Sequence, residues 1–299
     1  MTKEITALRE FDVFEVVDRQ PEMHVLGTRW IYSTKHNSEE RSFGYKARCV
    51  VQGNRQIPER DFVETFAPVA RTSTMQILLT MTAIENYSCI HLDVSTAYLH
   101  SQIETQIYVK PPPGIHKEDK VWMLKKSLYG LKQAGRNWFL HLKLLLEQNG
   151  LKQSQSDQGL FISNEQVYVL VYVDDLLVMA KEKENGLAVY NKLAAKLKMK
   201  NLGDVSRFLG WNIKRKEKVF ELDQKDFIEK LIEENGLSAA RTMKSPMDSF
   251  VLTNLDQEVN NQLPVREIIG GLQYLAQKSR PDIAATIQFL NANKCINQP

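Results

Sequence analysis

Residues 171–178 read Val-Tyr-Val-Asp-Asp-Leu-Leu-Val and set two adjacent carboxylates, Asp174 and Asp175, inside an otherwise apolar run. Val167 to Val173 is an unbroken stretch of β-forming residues, and Leu176 to Met179 is another. The pattern predicts a buried hairpin with two like charges at its tip. Burying one unpaired carboxylate is costly, and burying two side by side costs more. A polar turn exposed to water accounts for the pair. So does a cation site, in which a divalent metal supplies the missing positive charge. These eight residues alone leave both readings open.

The segments around the hairpin narrow the choice. Cys89 to Val94 is a short predicted strand whose penultimate residue is Asp93. Strands are also expected at 107–109 and 121–124, the former stopped by Pro111-Pro112-Pro113. Gln133 to Asn149 has the period of an amphipathic helix and closes at Gly150, the usual position after a helix C-terminus. Ser73 to Asn86 is a predicted helix with Ser73 and Gln76 as a capping box and Ile77, Leu78, Met81 and Ile84 on one face. Residues 186–199 form another. Beyond them come a strand pair at 208–213 and 219–222, a helix capped by Asp223 and ended by Gly236, and an aperiodic stretch at 242–264. Two amphipathic helices follow, at about 265–277 and 281–292. Frequent hairpins among the helices predict an α+β fold with an antiparallel sheet. If the strand ending at Asp93 lies beside the hairpin, three carboxylates converge. Three acids without a nearby His or Cys make a hard oxygen site, suited to Mg²⁺ or Mn²⁺.

Composition excludes several classes. The 299 residues are 43% hydrophobic and 25% charged, ordinary for a globular protein of two or three subdomains. No apolar run approaches the roughly 20 residues of a membrane span, so no membrane partner is expected. The first twenty residues are charged throughout, unlike a signal peptide. Cys49, Cys89 and Cys295 are far apart, which argues against structural zinc and a disulfide framework and makes a reducing, intracellular compartment the default. Net charge is only +3, but nine basic residues between Lys192 and Lys218 face only Asp204 and Glu217. A second cluster is Lys125, Lys126, Lys132, Arg136 and Lys143. Both suit phosphate tracking, and both suit solvated helix faces.

Tyr-Val-Asp-Asp between apolar strands, with LDVSTAYL at 92–99, resembles the two catalytic palm motifs of reverse transcriptases. Further segments sharpen the resemblance: KARCVVQG (46–53), ETFAPVARTSTMQILL (64–79), LKKSLYGLKQAGRNW (124–138), DQGLF (157–161), LGDVSRFLGWNI (202–213) and SRPDIAATI (279–287). In this order, and with EITALREFDVFEVV and GTRWIY near the start, they resemble the reverse transcriptase region of copia-type LTR retrotransposon Pol polyproteins. The resemblance covers nearly the whole chain.

It implies an RNA-directed DNA polymerase, a nucleotidyltransferase with a right-hand fold. Fingers would span 1–87 with 105–132, palm 88–104 and 133–213, and thumb with the start of a connection 214–299. Asp93, Asp174 and Asp175 would be catalytic. They and the Val94 carbonyl would hold two Mg²⁺ or Mn²⁺ ions. Arg48, Lys46, Tyr98 and Gln133 would bind the deoxynucleotide: Arg48 by its guanidinium fork on phosphate, Tyr98 by excluding a ribose 2′-hydroxyl, Gln133 at the sugar and on Arg48. A core position accounts for Tyr98 equally well without the motif. Leu209, Gly210 and Trp211 would form the primer grip. Implied partners are an RNA or DNA template with its primer, deoxynucleoside triphosphates, and the integrase and ribonuclease H segments of the polyprotein. The implied location is a cytoplasmic virus-like particle, or the nucleus.

Cys49 stands where the family usually has Leu, His100-Ser101 where it has Asn-Gly, and Gly135 where it has Pro. A lost Gly matters if that turn needs positive φ. Family members continue past the Ser-Arg-Pro-Asp-Ile motif, and this sequence stops at Pro299. The competing expectation is therefore an inactive remnant of a truncated element that at most binds nucleic acid. On either reading, the amphipathic faces at 265–292 are expected to lack part of their partner and to be loosely anchored.

Overall fold

The structure is a computed structural model, described over residues 1–35, 44–115, 119–247 and 264–292. It divides into two compact units, Met1–Val205 and Ser206–Pro299. Cys295 and most of the stretch expected to be aperiodic at 242–264 lie outside the described residues.

The first unit opens with α1 (Thr2–Glu10), β1 (Phe14–Asp18), β2 (Val25–Leu26), β3 (Thr28–Lys35), β4 (Gly44–Val51) and α2 (Thr72–Ile84). It continues with β5 (Ser88–Val94), a 3-10 turn (Ala97–His100), β6 (Gln102–Val109), β7 (Lys120–Lys126) and α3 (Ala134–Gln148). Then come β8 (Leu151–Gln153), β9 (Leu160–Ser163), β10 (Val167–Tyr172), β11 (Asp175–Ala180), α4 (Lys183–Ala194) and β12 (Met199–Asp204). The central sheet has the order β12-β5-β11-β10-β9-β8, and every neighbouring pair in it is antiparallel. A second sheet, β1-β7-β6-β2, carries the parallel pair β2/β6, and β3 and β4 form a separate hairpin. The expected α+β class with antiparallel sheets is what the chain forms.

The core explains why the central strands are so apolar. Ile90, Leu92 and Val94 of β5 and Leu176, Val178 and Ala180 of β11 share one face by the two-residue period of a strand. Against it lie Trp138, Phe139, Leu142 and Leu146 of α3 and Val189 and Leu193 of α4. Truncating one such buried leucine to Ala costs about 2–5 kcal/mol.

Two helical expectations need correction. The N-cap of α2 is Arg71, without a side-chain cap of its own, so Ser73 and Gln76 sit inside the helix. The inward face of α2 is Met75, Leu78, Leu79, Thr82 and Ala83, whereas Ile77 and Ile84 are 67% and 65% exposed. Leu78 fits either stripe, and the buried one contains the small residues Thr82 and Ala83. Helix α4 begins and ends earlier than expected, and Met199 already pairs with Val94 in β12.

The second unit contains β13 (Arg207–Phe208), β14 (Trp211–Lys216), β15 (Val219–Asp223) and α5 (Lys225–Glu234), then α6 (Val265–Lys278), a 3-10 turn (Pro281–Ile283) and α7 (Ala284–Ala292). The expected single strand at 208–213 is two strands of a hairpin, broken by Leu209 and Gly210 at φ 50 and 78. The N-cap of α5 is Gln224 rather than the expected Asp223, whose carboxylate, one residue earlier, still accepts from Lys225 N at 3.1 Å, and Gly236 has φ 66, as expected just past the helix end. The faces at 265–292, expected to be loosely anchored, find part of their partner within this unit, with Ile268, Leu272, Ile283 and Leu290 left half-buried. Ile269, Leu275 and Ile287 are buried, Tyr274 packs edge-on against Phe227, and the Ser279 hydroxyl donates to Gln224 at 2.7 Å.

Candidate catalytic site

The β5/β11 register sets Asp93 directly opposite Asp175. Leu92 and Leu176 point into the core, so strand alternation puts the two acids on the other face of the sheet. Tyr172 pairs with Asp175, which leaves Val173 and Asp174 as the two-residue turn of the hairpin. Both turn carbonyls are held. The Trp138 indole donates to Val173 O at 2.8 Å, and Val94 N donates to Asp174 O at 2.8 Å. Val173 has φ 54, a conformation that β-branched residues rarely adopt. Packing of α3 and β5 onto the turn is what sustains it.

Asp174 is part-buried, and its Oδ1 has no hydrogen-bond partner among the described residues. Burial pushes its carboxyl up to about 6, with the charges of Asp175 and Asp93 adding to the rise and those of Arg48 and Lys46 opposing it. Such a carboxylate is deficient in positive charge, and an oxygen-seeking divalent cation fits that deficit. Among the described residues, no three His, Cys, Asp or Glu side chains are gathered as a ready ligand set. One reason is visible: the Asp175 carboxylate is turned to His91, whose Nε2 lies 3.1 Å from Oδ1. Asp93 and Asp174 are thus the acids that fit a cation most directly.

Arg48 and Lys46 lie on one face of the β3/β4 hairpin, opposite Ile31 and Ser33. The Arg48 guanidinium lies over the Tyr129 ring, 5.2 Å from its centroid, and its buried Nε has no hydrogen-bond partner among the described residues. Tyr129 in turn meets Tyr98 edge-on, with centroids 4.8 Å apart. Tyr98 sits in the 3-10 turn that Thr96 introduces at φ 56. Burial first and the Asp174 charge second raise the Tyr98 hydroxyl, which stays neutral. Asp93, Asp174, Asp175, Arg48, Lys46 and Tyr98 are therefore drawn to one region of the first unit.

Gln133 is placed differently. It is buried at the start of α3, where its Nε2 donates to Asp61 O at 2.7 Å and its Oε1 accepts from Gln56 at 3.0 Å. Its amide is engaged by this network rather than by Arg48. Leu209, Gly210 and Trp211 belong to the second unit, where Gly210 O accepts from Gln224 at 3.3 Å and Lys278 lies over the Trp211 ring. Much of the second basic cluster is ion-paired: Lys125 with Asp12, Arg136 with Glu64, Lys143 with Glu147. The departure at Ser101 carries no backbone penalty, because its φ is −94.

Sequence reasoning passed over His91 and Tyr129. His91 stands two residues before Asp93, on the same strand face, so alternation could have placed it beside the acids. Tyr129 lies in an irregular loop, Ser127–Lys132, where no period indicates direction.

Residues 11–249 match a family model described as reverse transcriptase (RNA-dependent DNA polymerase). The chain is 32% identical over 300 residues to the retrovirus-related Pol polyprotein from transposon RE1 of Arabidopsis thaliana, covering 97% of this chain and 20% of that protein. It is 29% identical over 304 residues to the corresponding polyprotein from transposon TNT 1-94 of Nicotiana tabacum, covering 96% and 23%. Identity to the transposon Ty1-GR1 Gag-Pol polyprotein of Saccharomyces cerevisiae is 30% over 220 residues, covering 70% and 12%. The chain spans about a fifth of the length of these plant relatives. Among the described residues no helix is long and apolar enough to cross a membrane.

Proposed function

The chain belongs to the reverse transcriptase family, as the reverse transcriptase domain of copia-type retrotransposon Pol polyproteins, and from that premise we infer that it is an RNA-directed DNA polymerase extending a primer with deoxynucleotides. Fingers at 1–87 and 105–132, palm at 88–104 and 133–213 and thumb at 214–299 are the matching division. Template, primer and deoxynucleoside triphosphates are the ligands, and other Pol segments are the natural partners. The observation that carries the reading is Asp174: a carboxylate at the tip of a pinned hairpin, with one oxygen unpartnered among the described residues, raised first by its burial and then by the charges of two neighbouring acids.

Asp93, Asp174 and the Val94 carbonyl would hold two Mg²⁺ or Mn²⁺ ions, with Asp175 as the outer acid. When bound, such a pair supplies the charge that activates a primer 3′-hydroxyl and neutralises the departing pyrophosphate. The protein's own groups position the reactants. Arg48, with Lys46 beside it, offers guanidinium donors to triphosphate oxygens. Tyr98 presents a neutral ring whose bulk excludes a 2′-hydroxyl. His91 holds Asp175 in place, and Trp138 and Val94 fix the turn that carries Asp174. Gln133 acts here through the frame beneath the site, keeping the start of α3 tied to Asp61. Leu209, Gly210 and Trp211 are kept as the primer grip on the strength of their motif.

Primer extension by the purified chain on a homopolymer template with Mg²⁺ or Mn²⁺ tests the reading. Wild type extends, and Asp174→Asn does not. A wild type as inactive as the variant points to the nucleic-acid-binding remnant. Asp174→Asn also has a stability signature in the metal-free chain. A raised carboxyl holds its proton more tightly folded than unfolded, so its stabilising share is lost as pH rises from about 4 through about 6. Above pH 6 the variant is expected to be more stable than wild type, on the order of 2 kcal/mol. Denaturant unfolding at pH 5 and pH 8 reads the difference.

A further inference from the structure

Tyr129 has no part in the mechanism above, yet it touches two of the side chains that mechanism uses. The face of its ring is under Arg48, and it meets Tyr98 in a T-shaped contact. Its backbone is fixed independently of the ring. Val51 N donates to Tyr129 O at 2.8 Å, tying the loop to the end of β4, three residues past Arg48. Gly130, at φ +92, is pressed so closely on β4 that a Cβ there would lie 2.1 Å from Val51 O. The loop cannot shift without moving the strand that carries Arg48. The hydroxyl is held neutral by burial and by the charge of Asp174, so the ring supplies its quadrupole and its bulk and no charge.

We propose that Tyr129 is a positioning residue of the nucleotide site, an aromatic wall that orients the Arg48 guanidinium on its face and braces the Tyr98 ring by their T-shaped contact. The inference rests on the polymerase reading. Among the described residues Arg48 Nε has no hydrogen-bond partner, and the Tyr129 ring face bears on the guanidinium and restrains the tilt of its fork. Tyr98 leans on the same ring, so triphosphate grip and sugar selection are mechanically joined. Loss of the ring loosens both together. Loss of the hydroxyl alone loosens neither.

The test compares wild type, Tyr129→Phe and Tyr129→Leu by two measurements. The first is equilibrium binding of dTTP and of UTP to the chain on a dideoxy-terminated primer–template with Mg²⁺. The second is single-nucleotide extension, with active-site titration to count competent molecules and Tyr98→Ala as the benchmark for lost sugar selection. Tyr129→Phe is expected to match wild type. Tyr129→Leu is expected to weaken dTTP binding about tenfold, the size of a lost cation–π contact, and to narrow the dTTP/UTP ratio several-fold. In extension, KM rises and kcat per active molecule stays within about twofold, since the acids are untouched. A purely structural Tyr129 would lower the competent fraction and leave affinity and ratio unchanged, and that result overturns the proposal. So does a Tyr129→Phe variant as impaired as Tyr129→Leu, or a wild type that binds no nucleotide. Binding that responds to Tyr129→Leu in a chain that never extends a primer sinks the polymerase reading and leaves the wall standing.

Discussion

His100 shows how one residue carries a pH signature at some distance from the acids. It ends the 3-10 turn that begins at Ala97, with its ring edge-on to Phe11 and near Trp138. Burial lowers its pKa to about 4, a hydrogen bond from the ring to the Ser95 backbone partly opposes this, and His141, Lys126 and Lys198 add to the fall. Its Nε2 is buried without a hydrogen-bond partner among the described residues. The folded chain therefore keeps His100 neutral where the unfolded chain protonates it. Stability from this source is complete above about pH 6.5 and is lost as pH falls toward about 4. Removing the imidazole should remove that slope. Denaturant midpoints of wild type and His100→Leu, compared at pH 7.5 and pH 5, are expected to diverge on acidification, with wild type losing more. Parallel midpoints would show that His100 does not titrate in this window. The sequence marks His100 only as an unusual residue in its motif. Its desolvation comes from α1 and α3, which no local pattern could announce.

At the scale of elements, the amino end of α2 is the instructive case. The N–H of its N-cap residue Arg71 and the hydroxyl of Thr74 in its first turn are met by a residue far along the chain. The Asp157 carboxylate accepts from Arg71 N at 3.0 Å, from the Thr74 hydroxyl at 2.5 Å and from Gly159 N at 2.9 Å. Burial alone would raise Asp157, but these hydrogen bonds outweigh it and hold the carboxyl below its usual range. Asp157→Ala is expected to cost about 2–3 kcal/mol, more than a solvent-exposed cap, because it strands partly buried donors. Thermal or denaturant unfolding measures it, and a loss under about 0.5 kcal/mol would rule the cap out. The same case shows what was legible. The helix, its approximate span and the motif around Asp157 could all be read from residues. The capping box at Ser73 and Gln76 could not be rejected, since the true partner lies 83–86 positions away. The acidic hairpin was readable because strand alternation and two adjacent aspartates are local signals. The pairing of Asp93 with Asp175 followed from strand adjacency. The diversion of Asp175 to His91 and of Gln133 into the Gln56–Asp61 network depends on side-chain directions that only the packed fold sets.

Over the whole molecule, the two compact units make separate predictions. In the second, α6 buries Ile269 and Leu275 and sends Tyr274 and Lys278 to the sheet hairpin. A Cβ on Gly210 would lie 2.2 Å from the Tyr274 hydroxyl, so helix and turn are in close register. Amides at 269–278 are accordingly expected to exchange hydrogen slowly, with protection close to that of β14. Exchange there as fast as in an exposed loop would restore the expectation of a loosely anchored tail. In the first unit, the approach of Gly53 to Gly130 leaves 2.0 Å between a Cβ at Gly53 and Gly130 O. The neighbouring Gln56–Gln133 bond spans 77 residues. This feature has a kinetic meaning. Closing a loop of that length spends chain entropy before any contact is made in return, and two bare backbones interlock only when both are already shaped. The β3/β4 hairpin is accordingly expected to dock late, onto a sheet and helix that have already condensed, and stopped-flow refolding of Gly53→Ala against wild type measures it. A side chain at either glycine would slow folding at that last step far more than it would disturb the early collapse.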